Sequence, residues 1–279
     1  MNKQNFIKKY LNKGFSLSEA VAEIDLAVEL LFGLSQKDIA LGKSPDEKEL
    51  QELDSVITRR LETREPLCQI LGAAYFMGEK FEVSQDTLIP RPETELLVRK
   101  SIEIIKQNDF KQVLDIGTGT GCIACMIAKN TKAQVLGVDI VNGALKIALN
   151  NAMHHDLMNR ALFRKSDIFS KIRPEEKFDM IVSNPPYIPL KDKAGLQSEV
   201  KEFEPAAALF ANDEAGVEFY EKIASQAYNF LNKGGYIAFE IGINQACFVA
   251  EILKNNGFTQ IEVLKDVSGI ERVVVAKLV

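Results

Sequence analysis

The chain has only two histidines in 279 residues, His154 and His155, and they are neighbours. No Ser-His-Asp set can be built from them, and their place at the end of a helical stretch suits the helix dipole as well as it suits catalysis. Cysteines are nearly as scarce: Cys68, Cys122, Cys125 and Cys247. Cys122 and Cys125 have C-x-x-C spacing, but zinc needs two more ligands at suitable spacing and the other two cysteines are isolated. The surroundings are not those of a thioredoxin-type site either. The pair is read as small packing residues, and no metal is expected. No apolar run approaches the ~20 residues that span a bilayer. The start, MNKQNFIKKY, is basic but lacks a following apolar core and cleavage site, so it does not read as a secretory signal. With so few cysteines, the expectation is a reduced, cytoplasmic protein without a membrane partner. Neither an internal repeat nor a low-complexity tract is present. The net charge of −5 argues against a large nucleic-acid surface.

What is present is an ordinary globular composition, long enough for one large domain and a small one. Residues 1–64 read as a small helical domain. Ser16 and Glu19 have capping-box spacing, and Leu17, Val21, Ile24, Val28 and Leu31 recur at three and four residues. Ser44-Pro45-Asp46-Glu47 is a second start signal, with Ser44 as cap and Pro45 at the first helical position. Leu50, Leu53, Ile57 and Leu61 extend that helix's apolar stripe. Nothing here carries chemistry, so the segment recognises a partner, covers an active site or caps the larger domain. Over 65–87 the helical period fails, and two apolar groups around Gly78 suggest a linking hairpin.

Residues 88–279 read as the main domain. It opens with LIPRPETE, a proline-stiffened loop carrying Arg91, Glu93 and Glu95, which orient a substrate or pair with each other. A helix follows from 93 or 94 to about 107. Seven strands are then expected, at 113–114, 134–138, 161–165, 178–183, 236–241, 259–264 and 272–277. Helices separate them, except between the third and fourth and before the last, where a short link with Gly269 favours a hairpin. The fold class is α/β, doubly wound, with a mostly parallel seven-stranded sheet and one antiparallel strand. Residues 189–212 are charged and read as an irregular loop or lid. A helix over 214–231 is expected to stop at Lys233-Gly234-Gly235.

The chemistry sits at strand ends. The first strand runs into Asp115, and Gly117, Thr118, Gly119, Thr120 and Gly121 then make a G-x-G-x-G loop before a helix. Glycines let backbone approach a ligand closely. The dinucleotide fingerprint wants a glycine where Cys122 stands, which tilts the reading away from a pyrophosphate. Asp139 ends the second strand, where an acid accepts from both ribose hydroxyls or caps the next helix. Asp167 and Ile168 follow the third strand, placed to bond an adenine amino group and to cover its ring. After the fourth strand comes Asn184-Pro185-Pro186-Tyr187. The Asn184 side-chain oxygen and a neighbouring backbone carbonyl are two acceptors able to grip a planar NH2, and Tyr187 can stack behind it. A proline-rich turn is the plain alternative.

The series DIGTGTG, GVDI, SDIF and VSNPPYIP resembles class I S-adenosylmethionine-dependent methyltransferases. LIPRPETE, EFEPAAAL and EIGINQ resemble one family closely, the HemK/PrmC-type protein-glutamine methyltransferases, which modify the Gly-Gly-Gln glutamine of peptide chain release factors. The resemblance runs from about Pro66 to the C-terminus. It implies S-adenosyl-L-methionine on Gly117, Thr118, Gly119, Thr120, Gly121, Asp139, Asp167, Ile168 and Asn184. It implies the substrate glutamine on Asn184, Pro185, Pro186 and Tyr187, with Asn184, Pro185 and Tyr187 serving catalysis. Two departures stand out: the family often has an aromatic at Ile168 and a glycine pair at Ala211-Asn212. The implied reaction is direct in-line methyl transfer to the glutamine amide nitrogen by a monomer that does not bind nucleic acid directly. NPPY is shared with nucleic-acid adenine and guanine amino methyltransferases, which are the alternative enzyme. A non-enzymatic nucleotide-binding or ribosome-associated module would keep Asp139 and the glycines but has no use for NPPY.

Overall fold

The computed structural model describes residues 3–279. By chain contacts it divides into two units, Met1–Ala74 with Gln197–Phe203, and Tyr75–Leu196 with Glu204–Val279.

The first unit contains α1 (Lys3–Asn12), α2 (Leu17–Phe32), α3 (Gln36–Ala40), α4 (Glu47–Thr63) and α5 (Leu67–Leu71). α2 starts on the expected capping box: Glu19 N–H donates to Ser16 Oγ (3.2 Å) and Ser16 N–H to Glu19 Oε2 (2.8 Å). Its inward face runs through Ala20, Ile24, Ala27 and Val28, which leaves Leu17 exposed. α4 begins two residues later than the sequence suggests. Asp46 is its cap, with Glu49 N–H donating to Asp46 Oδ1 (2.8 Å) and Asp46 N–H to Glu49 Oε2 (2.7 Å), so Pro45 precedes the helix. A cap with its own reciprocal acid three residues on outcompetes Ser44, whose hydroxyl donates to the Pro45 carbonyl. α5 was not expected; five residues are too few to show a period. The segment Gln197–Phe203 is tied into this unit by Glu199, which pairs with Arg60 (3.4 Å) and Arg64 (3.5 Å), and by the Phe203 carbonyl, which accepts from Gln69 Nε2 (3.0 Å). Arg60 is 5% exposed and also grips Glu23 through Nε and Nη2 (3.0 and 2.9 Å).

A hairpin of β1 (Ala73–Phe76), whose first two residues fall in the first unit, and β2 (Glu79–Glu82) opens the rest of the chain. Its two turn residues, Met77 and Gly78, both have positive φ, as a tight hairpin of the right twist requires. Then follow α6 (Thr94–Asn108), β3 (Gln112–Ile116), α7 (Cys122–Asn130), β4 (Gln134–Asp139), α8 (Asn142–His154), β5 (Ala161–Lys165), β6 (Phe178–Ser183) and β7 (Ile188–Pro189). Next come a 3-10 helix (Leu190–Gly195), α9 (Ser198–Phe203), α10 (Ala206–Leu209), β8 (Phe210–Ala211), α11 (Glu218–Ala227), β9 (Leu231–Glu240), α12 (Ala246–Asn255), β10 (Phe258–Lys265) and β11 (Glu271–Leu278). Of these α9 falls in the first unit.

The main sheet has the order β10-β11-β9-β6-β3-β4-β5. β9, β6, β3, β4 and β5 are parallel, and β11 runs against both of its neighbours. The expected single reversed strand is therefore β11. Alternate residues of the apolar runs feed two cores: Val113, Met180, Val182 and Ala238 join the α6 and α7 side, while Leu114, Ile181, Ile237 and Phe239 join the α11 and α12 side. Burial on both faces is why these strands read as continuous apolar runs.

Residues 189–212 are not irregular. They contain the 3-10 helix, α9, α10 and β8, and β7 pairs with β8 through Ile188 with Phe210 and Pro189 with Ala211. α11 starts later than expected because Asp213 accepts from Val217 N–H (2.9 Å) and Glu218 N–H (3.1 Å). The chain reaches that cap through Gly216, at φ 72°, where a Cβ would lie 2.1 Å from the Tyr187 carbonyl oxygen. β9 takes in Gly234 and Gly235, which the sequence suggested as a helix stop.

Breaking a buried ion pair costs more than it contributes, because the partner's charge is left stranded. Arg60→Ala strands Glu23 and Glu199. It should lower the stability of the helical unit by about 3–5 kcal/mol. Amide hydrogen exchange should rise in α2 and α4, while protection in β3 and β6 stays unchanged.

Candidate active site

β3 and β6 are neighbours in the sheet, but the chain leaves β3 toward β4 on one side and returns to β6 on the other. No connection covers the adjoining carboxyl ends of these two strands, which is where open parallel sheets bind ligands. Ser183 Oγ donates to the Ile116 carbonyl (2.7 Å) and pins the two tips together. The register pairs Ile116 with Ser183, so the glycine loop and Asn184 leave the sheet side by side.

The loop's shape follows from its glycines. Gly117, Gly119 and Gly121 all have positive φ (73°, 53° and 76°). A Cβ on Gly121 would also lie 2.9 Å from the Ala148 Cβ, so α7 and α8 can pack here only without a side chain. Four of the five N–H groups are used internally: Gly117 and Thr118 donate to the Val138 carbonyl (2.9 and 3.0 Å), Gly121 to the Thr118 carbonyl (2.7 Å), and Gly119 to Asp139 Oδ2 (2.9 Å). A loop that spends its donors on itself is a poor cradle for a phosphate. Asn151 on α8, 2% exposed, holds the loop from behind; its Nδ2 donates to the carbonyls of Thr120 (2.9 Å) and Glu82 (3.0 Å).

Asp139 does more than cap. Its Oδ1 accepts from Val141 N–H (2.9 Å) while Oδ2 takes Gly119. An ionised carboxylate has about four acceptor sites, so roughly half remain for a ligand. Ile168 sits at φ 49°, a left-handed conformation that is rare for a β-branched residue. Ser166 secures that turn: its hydroxyl donates to the Ile168 carbonyl (2.9 Å) and accepts from Lys171 N–H (3.0 Å). A backbone conformation held at a cost of ~1–3 kcal/mol marks a position where shape matters.

A cleft runs from these loops to Asn184, Pro185 and Pro186. The backbone carbonyl of Asn184 lies 4.0 Å from where a Cβ on Gly117 would stand. Asn184 Nδ2 donates to Thr94 Oγ1 (3.3 Å). Ile140, Ile168, Phe219 and Ile223 supply apolar wall. The charged side chains on the wall are Asp86, Asp139, Asp167 and Arg91. Arg91 is neutralised by Glu204, whose Oε2 also accepts from Ile89 N–H (3.4 Å). The remaining lining charge is negative, which favours a cationic ligand.

A family model described as "Methyltransferase small domain" matches residues 93–203. The chain is 37% identical over 239 residues to the release factor glutamine methyltransferase of Fusobacterium nucleatum, covering 85% of this chain and 67% of that one. It is 37% identical over 277 residues to the release factor glutamine methyltransferase of Geobacter sulfurreducens, covering 96% and 95%. The chain belongs to the release factor glutamine methyltransferase family. In fold it resembles a methyltransferase from Pyrococcus furiosus, with a TM-score of 0.53 at 20% identity over 72% of this chain and 90% of that one. No helix among the described residues is long and apolar enough to cross a membrane.

In this release factor glutamine methyltransferase family member, the cleft wall includes Gly117, Thr118, Gly119, Thr120, Asp139, Asp167, Ile168, Asn184, Pro185 and Pro186. Gly121 lies behind the loop as the residue before α7. Tyr187 is half-buried against the α11 and α12 core, and its carbonyl accepts from Gln245 Nε2 (3.0 Å). Cys122 and Cys125 are buried packing residues, with the Cys122 thiol pushed up to about 12 by burial. The two histidines end α8, away from the cleft; His155 bonds the Lys80 carbonyl (3.0 Å). Arg91, Glu93 and Glu95 do not pair with one another. Arg91 takes Glu204, and Glu95 accepts from Met77 N–H (2.8 Å) and Arg99 (2.9 Å). Sequence reading passed over Thr94, Glu204, Asn151 and Glu240. Each carries a polar group that is nine-tenths buried or more, yet none stands out by spacing.

Asp115 is wholly buried at the end of β3. It accepts from Thr118 Oγ1 (2.6 Å), but its Oδ1 has no partner. Burial pushes its carboxyl up to about 7, with Asp139 nearby adding to the shift. A raised carboxyl pKa means the folded state holds a proton that the unfolded state has released. This contribution to stability is therefore lost as pH rises from the unfolded value of 3.8 toward 7. Asp115→Asn should match the parent in Tm near pH 4 and exceed it by several degrees at pH 8, at about 2–4 °C per kcal/mol in a unit this size. Differential scanning calorimetry across that range reads the crossing.

Proposed function

We propose that this chain transfers a methyl group from S-adenosyl-L-methionine to the side-chain amide nitrogen of the Gly-Gly-Gln glutamine of peptide chain release factors. The observation that carries the reading is the pair of acceptors at the tip of β6. The Asn184 side chain, its nitrogen occupied by Thr94, and the adjoining backbone carbonyls stand beside the glycine loop in one cleft. The names of the relatives at 37% identity support the same substrate class.

The cleft fits the cofactor on chemical grounds. Its net acidic lining suits a sulfonium and an ammonium, Asp139 keeps acceptor capacity for ribose hydroxyls, and Ile168 and Ile140 offer apolar cover for an adenine. The loop's spent N–H groups disfavour a pyrophosphate ligand. When bound, S-adenosylmethionine would supply an electrophilic methyl for direct in-line transfer.

The protein's own task is to ready a poor nucleophile. An amide nitrogen has a delocalised lone pair, so it must be aimed and its N–H bonds must be held. Asn184 Oδ1 and the Pro185 carbonyl accept the two N–H groups. These bonds strengthen as positive charge develops on nitrogen, which favours the transition state over the ground state. Alignment contributes further, up to ~7–11 kcal/mol in favourable cases. No strong base is needed, because the nitrogen turns acidic as its new bond forms and water takes the proton. Tyr187, whose ring packs against the α11 and α12 core and does not line the cleft, steadies the chain after the two prolines through the Gln245 bond to its carbonyl. The protein works in the cytoplasm, where release factors act.

Labelled S-adenosylmethionine offered with a release factor, DNA or RNA tests the reading directly. Label should enter the release factor alone; label in nucleic acid alone would replace this substrate assignment with the amino-base one. Asn184→Ala should lower kcat by about 10²–10³ while leaving the cofactor Kd within a few-fold. Near-normal turnover would remove Asn184 from the mechanism. For Asp139→Ala the bias reverses: calorimetry should find cofactor affinity weakened by about tenfold or more, as expected for a lost charge-assisted hydrogen bond.

A further inference from the structure

Glu240 ends β9 with its side chain sealed in protein, 2% exposed. The register pairs Phe239 with Ser183, so Glu240 stands beside Asn184. Its Oε2 has no hydrogen-bond partner. Among the described residues no cation forms an ion pair with it, and Arg272, whose charge acts on it, gives its Nε to Asp266 (3.2 Å). A buried, unpaired carboxyl is costly, and packing alone would favour an apolar residue here.

What the carboxyl does touch is informative. The Thr94 hydroxyl and the Asn184 amide both lie within hydrogen-bonding reach of it. Thr94, 3% exposed, also accepts from Asn184 Nδ2. An asparagine amide has nearly the same shape in its two flipped states, so its hydrogen-bond partners decide which way it points. A carboxylate and a hydroxyl oxygen on the buried side are both acceptors for the NH2. The flipped state would set Asn184 Oδ1 against them, acceptor facing acceptor.

We propose that Glu240 and Thr94 are positioning residues that take the two amide protons of Asn184 and thereby hold its Oδ1 toward the cleft, where it selects a substrate group bearing N–H donors. The inference rests on the role given to Asn184 above. It also supplies a dependence on pH. Glu240 orients the amide only while ionised; once protonated, it becomes a donor and the flipped amide is no longer opposed. Burial pushes this carboxyl up to about 7, Glu93 raising it further and Arg272 opposing. The other groups facing it, Tyr187, Tyr220 and Cys122, are themselves pushed up by burial and stay neutral through that range.

The test is steady-state kinetics of the full chain on an intact release factor, with cofactor affinity read by calorimetry. Glu240→Met fills the space without a charge. It should lower kcat at least about tenfold, the size of one lost charge-assisted hydrogen bond, and leave cofactor Kd within about twofold. Thr94→Val should lower kcat in the same sense. The parent's kcat should rise with pH through about 7, whereas Glu240→Gln, which keeps an acceptor oxygen but cannot titrate, should be flat. Thermal unfolding of each variant separates loss of fold from loss of orientation, and the pH comparison stands even if Glu240→Met fails to fold. Parent-like kcat in Glu240→Met, or parallel pH profiles for parent and Glu240→Gln, would overturn the proposal. Should Asn184→Ala be crippled while Glu240→Met is not, only this inference falls. If Asn184→Ala is itself active, the reading of the site falls first.

Discussion

Two parallel strand tips, paired through the sheet ladder at Ile116 and Ser183 and clasped further by Ser183 Oγ on the Ile116 carbonyl at 2.7 Å, set the terms for everything that follows in the larger unit. Because the chain reverses direction across the sheet between β3 and β6, the connections that leave the two tips part to opposite sides. Backbone that leaves two adjacent parallel strands must diverge, and the gap between the departing chains is the cleft. On one side the chain turns into a glycine loop. On the other it meets two prolines, which cannot donate to a ladder and so end β6 at once. Acceptors from Asn184 and the carbonyls after it are thereby displayed on stiff backbone, facing a loop that has withdrawn its own donors.

That withdrawal distinguishes the site from a nucleotide-phosphate cradle built on the same fold. Gly119 gives its N–H to Asp139, and Thr118 gives its hydroxyl to Asp115. The carboxylate at the tip of β4 thus shapes the loop and still keeps lone pairs for a ligand. Arg91, the cation on the wall, is committed to a buried Glu204. The field in the cleft is then set by carboxylates, and a cleft with acidic walls concentrates positive charge. Loop geometry and ion pairing both favour a cationic ligand in the cleft.

Much of this was legible before any coordinates. The alternation of β3, β6 and β9 into two cores follows from apolar runs that only a doubly covered sheet can bury. The tips were readable because Asp115, Asp139 and Asn184 interrupt those runs abruptly. The capping box at Ser16 was readable because both members lie within four residues. What was hidden depended on distant partners or competing local signals. Ser44 and Asp46 offered the same cap chemistry, and the reciprocal bonds of Glu49 decided between them. Arg91 has two acids within four residues, yet its partner lies 113 residues away. The 189–212 segment looked irregular because its elements are too short for a period. Asn151 and Glu240 sit in helical and strand patterns with no spacing to announce them. Their importance arises from burial, a property of the folded chain.

The two buried carboxyls, Asp115 and Glu240, present one physical problem twice. Each is sealed in the larger unit at the carboxyl end of a strand, each has an oxygen without a partner, and each is pushed up to about 7. A fold selected for stability alone would replace both with amides or apolar groups, since neither has a salt-bridge partner to offset desolvation. Both stand where the sheet meets the cleft, one bonded to Thr118 of the glycine loop and the other beside Asn184. Low polarity is what makes them costly, and the same low polarity strengthens every hydrogen bond they accept. An acceptor that must hold a neighbouring side chain in one of two nearly equal orientations works best where water cannot substitute for it. Burial without charge compensation is then a condition of the site's precision, and the stability lost with rising pH is the consequence.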